Sequence, residues 1–163
     1  MSRSEQSPSL LLKVLNKDCF SGPDPCPISA MLLRLRLDSG HLELANAGFQ
    51  PPFVLNKSGK LDVLATQDVI PLGLDAATEF TDRSVYMEPG QTLILWTKGL
   101  LGARNAQRQQ YGLERFTQSV EENFARPAAD MLHDLWQDLR DFMRHTPQRN
   151  PMTLILIQPN LTD

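Results

Sequence analysis

Apolar residues change their spacing several times along this chain, and each change marks an element. Leu10, Leu11, Val14 and Leu15 recur at helical spacing, which predicts a short helix behind a flexible tail over 1–8. Ser7 or Ser9 is placed to cap it, because a serine oxygen accepts from the free amides of a first turn. Gly22 and the prolines at 23, 25 and 27 follow, and proline removes donors and fixes the backbone, so Ser21 to Pro27 reads as a loop. From Ile28 to Leu37 the period falls to two. Met31, Leu33, Leu35 and Leu37 lie on one side and Arg34 and Arg36 on the other, the pattern of a half-buried strand. Asp38-Ser39-Gly40 is turn chemistry, and His41 to Ala45, with Leu42 and Leu44 inward, completes a hairpin.

Pro51-Pro52 breaks that strand. Phe53-Val54-Leu55 begins another, and Asn56 to Gly59 turns it into Leu61 to Leu64. A further strand pair is expected at Glu79 to Met87 and Thr92 to Thr97, joined by Glu88-Pro89-Gly90-Gln91. Its second member is apolar on both faces at Leu93-Ile94-Leu95-Trp96, as a central strand must be. Beyond Gly99 the spacing becomes helical. Leu113, Phe116 and Val120, continued by Phe124, form one face. Arg126-Pro127 opens a second helix with a core stripe of Met131, Leu135, Leu139 and Phe142. Pro147 and Pro151 bound its exit, and Met152 to Ile157 is a strongly apolar last strand. One helix, many antiparallel strands, two helices and a final strand define an α+β fold with helices on antiparallel sheet.

Composition narrows the function. The 163 residues suit one domain, expected over 9–160, and 41% hydrophobic with 21% charged residues is ordinary for a globular protein. A formal net charge of −3 and the lack of a long basic run argue against a nucleic-acid partner. No apolar run approaches the roughly 20 residues of a membrane span, and the polar start is unlike a signal peptide, so a cytoplasmic chain with no membrane partner is expected. Cys19 and Cys26 are too few for a disulfide scaffold or a thiolate metal site and read as free thiols.

Several segments together resemble the SpoIIE-type, PPM-type metal-dependent serine/threonine protein phosphatases. The stretch from Gly40 to Asn56 holds Asn46-Ala47-Gly48-Phe49 and then Pro51-Pro52, where the family has Asn-Ala-Gly-His and Pro-Pro. Pro71-Leu72-Gly73 is similar to the next landmark. Thr97-Lys98-Gly99, then Leu100, Leu101, Ala103 and Asn105, sits where the family has Thr-Asp-Gly, an acidic residue, Ala and Asn. Tyr111 to Phe116 matches the following helix start, and Asn150-Pro151-Met152-Thr153 sits where the family has Asp-Asp, one residue and Thr. The resemblance covers roughly Ser9 to Gln158. It implies a two-sheet sandwich, here partly incomplete, flanked by helices. It also implies hydrolysis of phosphoserine or phosphothreonine by a water bridging two Mn²⁺ or Mg²⁺ ions.

The same resemblance casts doubt on that chemistry. Two hard divalent ions need several carboxylates to offset their repulsion. The aligned ligand positions are Lys98, Asn150 and Pro151, and the family's N-terminal Gly-Asp and Asp-x-x-Gly-His-Gly elements are absent from the sequence. An ammonium 4 Å from a divalent ion costs about 2 kcal/mol even at the dielectric of water. No catalytic residue, metal or cofactor is therefore expected. Asn46, Ala47, Gly48, Pro51, Pro52, Pro71, Gly73, Thr97, Gly99 and Thr153 are the retained motif positions. Leu100 and Leu101, bracketed by glycines, are candidates for a partner-contact loop, with turn packing the plainer account.

Other clusters are weaker. His133 and His145 lack companions for a metal site, and Asp130, Asp134, Asp138 and Asp141 read as the solvated face of an amphipathic helix. The leading reading is a pseudophosphatase that binds a regulatory protein, which the family resemblance makes a STAS-type anti-anti-sigma factor or a sigma factor. The alternatives are a Mn- or Mg-dependent phosphatase completed by a longer chain or complex, and a homodimerisation scaffold, since sheet edges left open by missing N-terminal strands invite pairing.

Overall fold

A computed structural model describes residues 7–20, 27–67 and 70–159. The chain divides into two compact units, Met1–Pro51 with Ala65–Glu88, and Pro52–Leu64 with Pro89–Asp163. The architecture is α+β, with one antiparallel sheet and at least one helix in each unit.

The first unit holds α1 (Pro8–Phe20) and a sheet of β1 (Ala30–Leu35), β2 (His41–Ala47) and β5 (Arg83–Tyr86), in the order β1-β2-β5. The expected hairpin forms, with Leu33 opposite Leu44 and Leu35 opposite Leu42. β2 is the central strand and is buried on both faces, at Leu42 and Leu44 on one and at Ala45 and Ala47 on the other. Leu12, Ala45, Ala47, Leu72 and Phe80 make a small core, against which Ala30, Leu32 and Cys19 pack.

Two expectations change here. The helix is present, but its buried side is Pro8, Leu12 and Asn16, whereas Leu10 and Val14 are 56% and 55% exposed and Leu11 and Leu15 also face outward. Helical spacing identifies a stripe but not which stripe meets the sheet. In β1 the side that packs on this core carries Ala30 and Leu32, and Leu37 lies beyond the strand, 70% exposed. The expected Ser7 cap is present, Oγ accepting from Leu10 N at a long 3.4 Å, and the first turn is held further by Asp82, which takes hydrogen bonds from Ser9 N (2.8 Å) and Ser9 Oγ (2.7 Å). Burial works against the Asp82 carboxylate, but these hydrogen bonds prevail and hold its carboxyl below the usual carboxylate range.

The second unit holds β3 (Phe53–Leu55), β4 (Leu61–Val63), β6 (Thr92–Trp96), α2 (Lys98–Leu101), α3 (Gly112–Glu122), α4 (Ala128–Met143) and β7 (Leu154–Ile157). Its sheet runs β4-β3-β6-β7, so β6 is central, as its two apolar faces require. The expected pairing of β5 with β6 does not form. β5 pairs with β2 in the first sheet, and the link through Pro89 and Gly90 passes from one sheet to the other. α3 turns Phe116, Ser119 and Val120 inward and leaves Leu113 and Phe124 largely exposed, while α4 buries Met131, Leu135 and Leu139 as expected.

α3 and α4 are joined by a polar clamp. Tyr111 Oη donates to Asp138 Oδ2 at 2.5 Å, Arg115 pairs with the same carboxylate, and the Arg115 guanidinium lies 5.0 Å from the Phe142 ring centre. Burial and the Asp138 hydrogen bond both push the Tyr111 hydroxyl up. Burial disfavours the Asp138 carboxylate, yet hydrogen bonds from Arg115 and Tyr111 outweigh it and lower its pKa. The acidic face of α4 is thus partly structural, since Asp134 also pairs with Arg126.

The expected tail over 1–8 lies outside the described residues except for Ser7 and for Pro8, which opens α1. The 21–26 part of the expected loop, Cys26 included, also lies outside them.

Candidate functional site

Two junctions carry the motif residues, one in each unit. In the first unit β2 ends in Asn46-Ala47-Gly48-Phe49. Asn46 is buried, and its side chain closes the turn: Nδ2 donates to Phe49 O (3.1 Å) and to Thr66 Oγ1 (2.9 Å), and Oδ1 accepts from Phe49 N (2.8 Å). Gly48 has φ +67°, a left-handed conformation that glycine adopts freely, and a Cβ there would stand 2.7 Å from the Pro71 ring. Leu72 exchanges backbone hydrogen bonds with Ile28, and Gly73 N donates to the buried Asn16 Oδ1 at 2.8 Å. Asn46, Gly48, Pro71 and Gly73 are therefore one backbone-locking device, in which phenylalanine at 49 takes part through main-chain atoms.

The second junction lies in the second unit, where α2 meets the approach to β7. Thr97 Oγ1 accepts from Thr153 N (2.9 Å) and donates to Pro151 O (3.4 Å), and Thr97 N donates to Thr153 O (3.2 Å). Gly99 is buried against Asn150 and Pro151. A Cβ on it would stand well inside van der Waals contact distance of Pro151 O and 2.9 Å from the carbonyl carbon. The fold thus brings the Thr97–Gly99 segment, which carries Lys98, against Asn150 and Pro151, the positions that the resemblance sets at the family's metal ligands, although some fifty residues separate them in sequence.

These residues do not fit a dinuclear metal centre. Lys98 is exposed and cationic, Asn150 offers a neutral amide, and Pro151 has no side-chain donor. Among the described residues no three His, Cys, Asp or Glu side chains gather where they could hold a metal ion. Leu100 and Leu101 follow the plainer account, packing. Leu100 is 1% exposed inside the second unit's core and Leu101 packs against that core, so they anchor α2.

Beside this junction is a feature that the motif reading missed. A cavity of about 200 Å³ opens between the loop after α2 and the loop after α4, lined by Gly99, Arg104, Met143, Arg149, Asn150 and Met152 among others, and by no carboxylate. Its sequence signal is spread over two distant stretches. Residues 98–113 contain Lys98, Arg104 and Arg108 without an acid, and residues 142–159 contain Arg144, His145 and Arg149 without an acid.

The fold and the junctions define a phosphatase-like domain. The chain matches the SiaA-PP2C domain of Pseudomonas aeruginosa with a TM-score of 0.81 at 17% identity, covering 96% of this chain and 62% of that one. It matches the phosphatase domain of SpoIIE from Bacillus subtilis with a TM-score of 0.66 at 10% identity, covering 97% and 69%. At such identities the likeness establishes the fold. The family model of Stage II sporulation protein E (SpoIIE) matches residues 1–160, and the chain belongs to that family. Protein IcfG of Synechocystis sp. is 28% identical over 125 residues, 76% of this chain and 19% of that protein. This chain therefore spans about a fifth of that relative and less than two thirds of the SiaA domain. No helix of the described residues is long and apolar enough to cross a membrane.

Proposed function

We propose that this chain is a catalytically silent SpoIIE-type domain that acts by binding a regulatory protein in bacterial signalling. One observation carries the reading: the junction keeps the residues that stitch its backbone, Thr97, Gly99 and Thr153, while the aligned ligand positions hold Lys98, Asn150 and Pro151. Selection for a shape without its metal chemistry leaves this pattern. The RsbU and RsbW domains of one Mycobacterium tuberculosis protein match this chain with a TM-score of 0.72. That likeness and the family resemblance make a STAS-type anti-anti-sigma factor or a sigma factor the class of partner proposed.

The test is calorimetric titration with Mn²⁺, alongside pull-down with a purified STAS-domain protein. No metal uptake together with capture of the partner is the expected result. Stoichiometric Mn²⁺ binding overturns it in favour of a metal-dependent serine/threonine phosphatase. That second reading is favoured by the partial span of the relatives, which leaves room for ligands contributed by a longer chain or complex. Light scattering of the same sample measures the homodimer expected from the sequence.

A further inference from the structure

The cavity beside the second junction shares Gly99 and Asn150 with it but holds no carboxylate, and its electrostatics run against those of the whole molecule. The chain carries a net charge of −3, yet the residues lining the cavity include two arginines, Arg104 and Arg149, and no acid. A cationic wall without carboxylates favours anions by Coulomb attraction. The flanking acids are engaged by other side chains: Asp141, which shares a neighbouring hollow with Asn105 and Gln107, takes a hydrogen bond from Gln137 on α4, and Asp138 is held by Tyr111 and Arg115.

The wall is also built rather than frayed. Arg104 Nη1 donates to Arg108 O at 2.8 Å, which draws the guanidinium onto its own loop. Asn105 Oδ1 accepts from Gln107 N and Gln109 N at 3.1 and 3.0 Å, and Arg104 bridges Gln110 across the loop. On the opposite wall Gln148 Nε2 donates to Asn150 O at 2.8 Å, bracing the turn that carries Arg149. Gly99 and Gly102 leave the floor without side chains. The Arg104 guanidinium, held in place, loses less freedom when it meets a planar carboxylate, which a guanidinium grips through paired N–H donors.

We infer that this cavity is an oxyanion site in which Arg104 and Arg149 grip a carboxylate of an acidic segment on the partner protein, with the Asn150 amide adding a polar contact. The inference rests on the protein-binding reading above and supplies its recognition chemistry. A cavity of about 200 Å³ admits one or two acidic side chains and not a folded surface, so the segment must be extended or a loop tip.

The experiment is fluorescence anisotropy with a labelled octa-glutamate peptide, run in EDTA at low and high salt, with octa-glutamine, a phosphoserine peptide and a single-stranded oligonucleotide of matched charge as comparators. Octa-glutamate should bind at low salt and be released at high salt, octa-glutamine should not bind, and neither the phosphoserine peptide nor the oligonucleotide should bind more tightly than octa-glutamate. The R104Q/R149Q double variant should bind about tenfold more weakly with an unchanged melting temperature, and R140Q, outside the cavity, should bind as the parent does. No octa-glutamate binding, equal binding by R104Q/R149Q, equal loss in R140Q, or tighter binding of the phosphoserine peptide or the oligonucleotide would each overturn the inference. Mn²⁺ uptake in the separate titration would overturn the silent-domain reading while leaving the peptide result to decide the cavity.

Discussion

The two motif junctions differ in what they have kept. At Asn46–Phe49 the retained residues hold a turn: a buried amide satisfies three polar partners, and a glycine admits the Pro71 ring. At Thr97–Gly99 the same kind of residue remains, a hydroxyl bonded across the gap and a glycine under a carbonyl, but the neighbouring positions have changed charge class. The contrast separates two jobs that a shared motif superimposes. Positions that close backbone geometry are costly to substitute, because an added Cβ meets backbone or a proline ring there. On the proposed silent reading, positions that would hold an ion are free to change.

Substitutions should separate the two classes, beginning with the largest effect. Gly99→Ala drives a methyl into the Pro151 carbonyl and must pry α2 from the β7 approach, a loss of about 3 kcal/mol or more in chemical denaturation. Gly48→Ala should cost about 2 kcal/mol, from a left-handed backbone and the Pro71 ring together. A change within error in either variant would show that its junction yields easily. Asn46→Ala leaves Phe49 N and O without their side-chain partner and should cost about 2 kcal/mol by the same measurement.

Asp138→Asn should cost about 1 kcal/mol near neutral pH. The folded-state pKa of Asp138 is depressed, so its stabilisation is present above the unfolded carboxylate range and is lost as pH falls through the folded value. Denaturation curves of parent and variant should therefore converge in acid, and a gap constant with pH would deny the clamp its electrostatic part. Smallest of all, Lys98→Asp should move stability by less than about 0.5 kcal/mol, as expected of an exposed side chain, and should not create Mn²⁺ binding while Asn150 and Pro151 remain. Metal uptake by that single variant would show that the junction still stores a site.

Much of this was legible from local pattern. Alternation across 28–45 is a hairpin whatever surrounds it, and Met131, Leu135 and Leu139 mark one side of a helix at any site. The doubly apolar stretch at 93–96 required a central strand, and β6 is one. The SpoIIE landmarks located both junctions because their glycines and prolines answer to backbone geometry. Lys98, Asn150 and Pro151 stood out only through the family resemblance, which sets them where that family has aspartates.

Other features were settled only by tertiary structure. α1 is apolar over so much of its circumference that either side could meet the sheet, and only packing put Leu12 inside and Val14 outside. Adjacency in sequence suggested that β5 and β6 pair, but hydrogen-bond partners are chosen by the sheet that needs an edge. Leu100 reads as exposed between two glycines until α2 turns it into the core. The cap from Asp82 and the cationic cavity share a cause: each joins groups more than forty residues apart, so no local window contains them. The sequence by itself determined which residues prefer helix, strand or turn and which chemical groups are available, because those are properties of short stretches. The tertiary structure decided which faces are covered and which distant charges meet, because burial and Coulomb energy depend on distance in space.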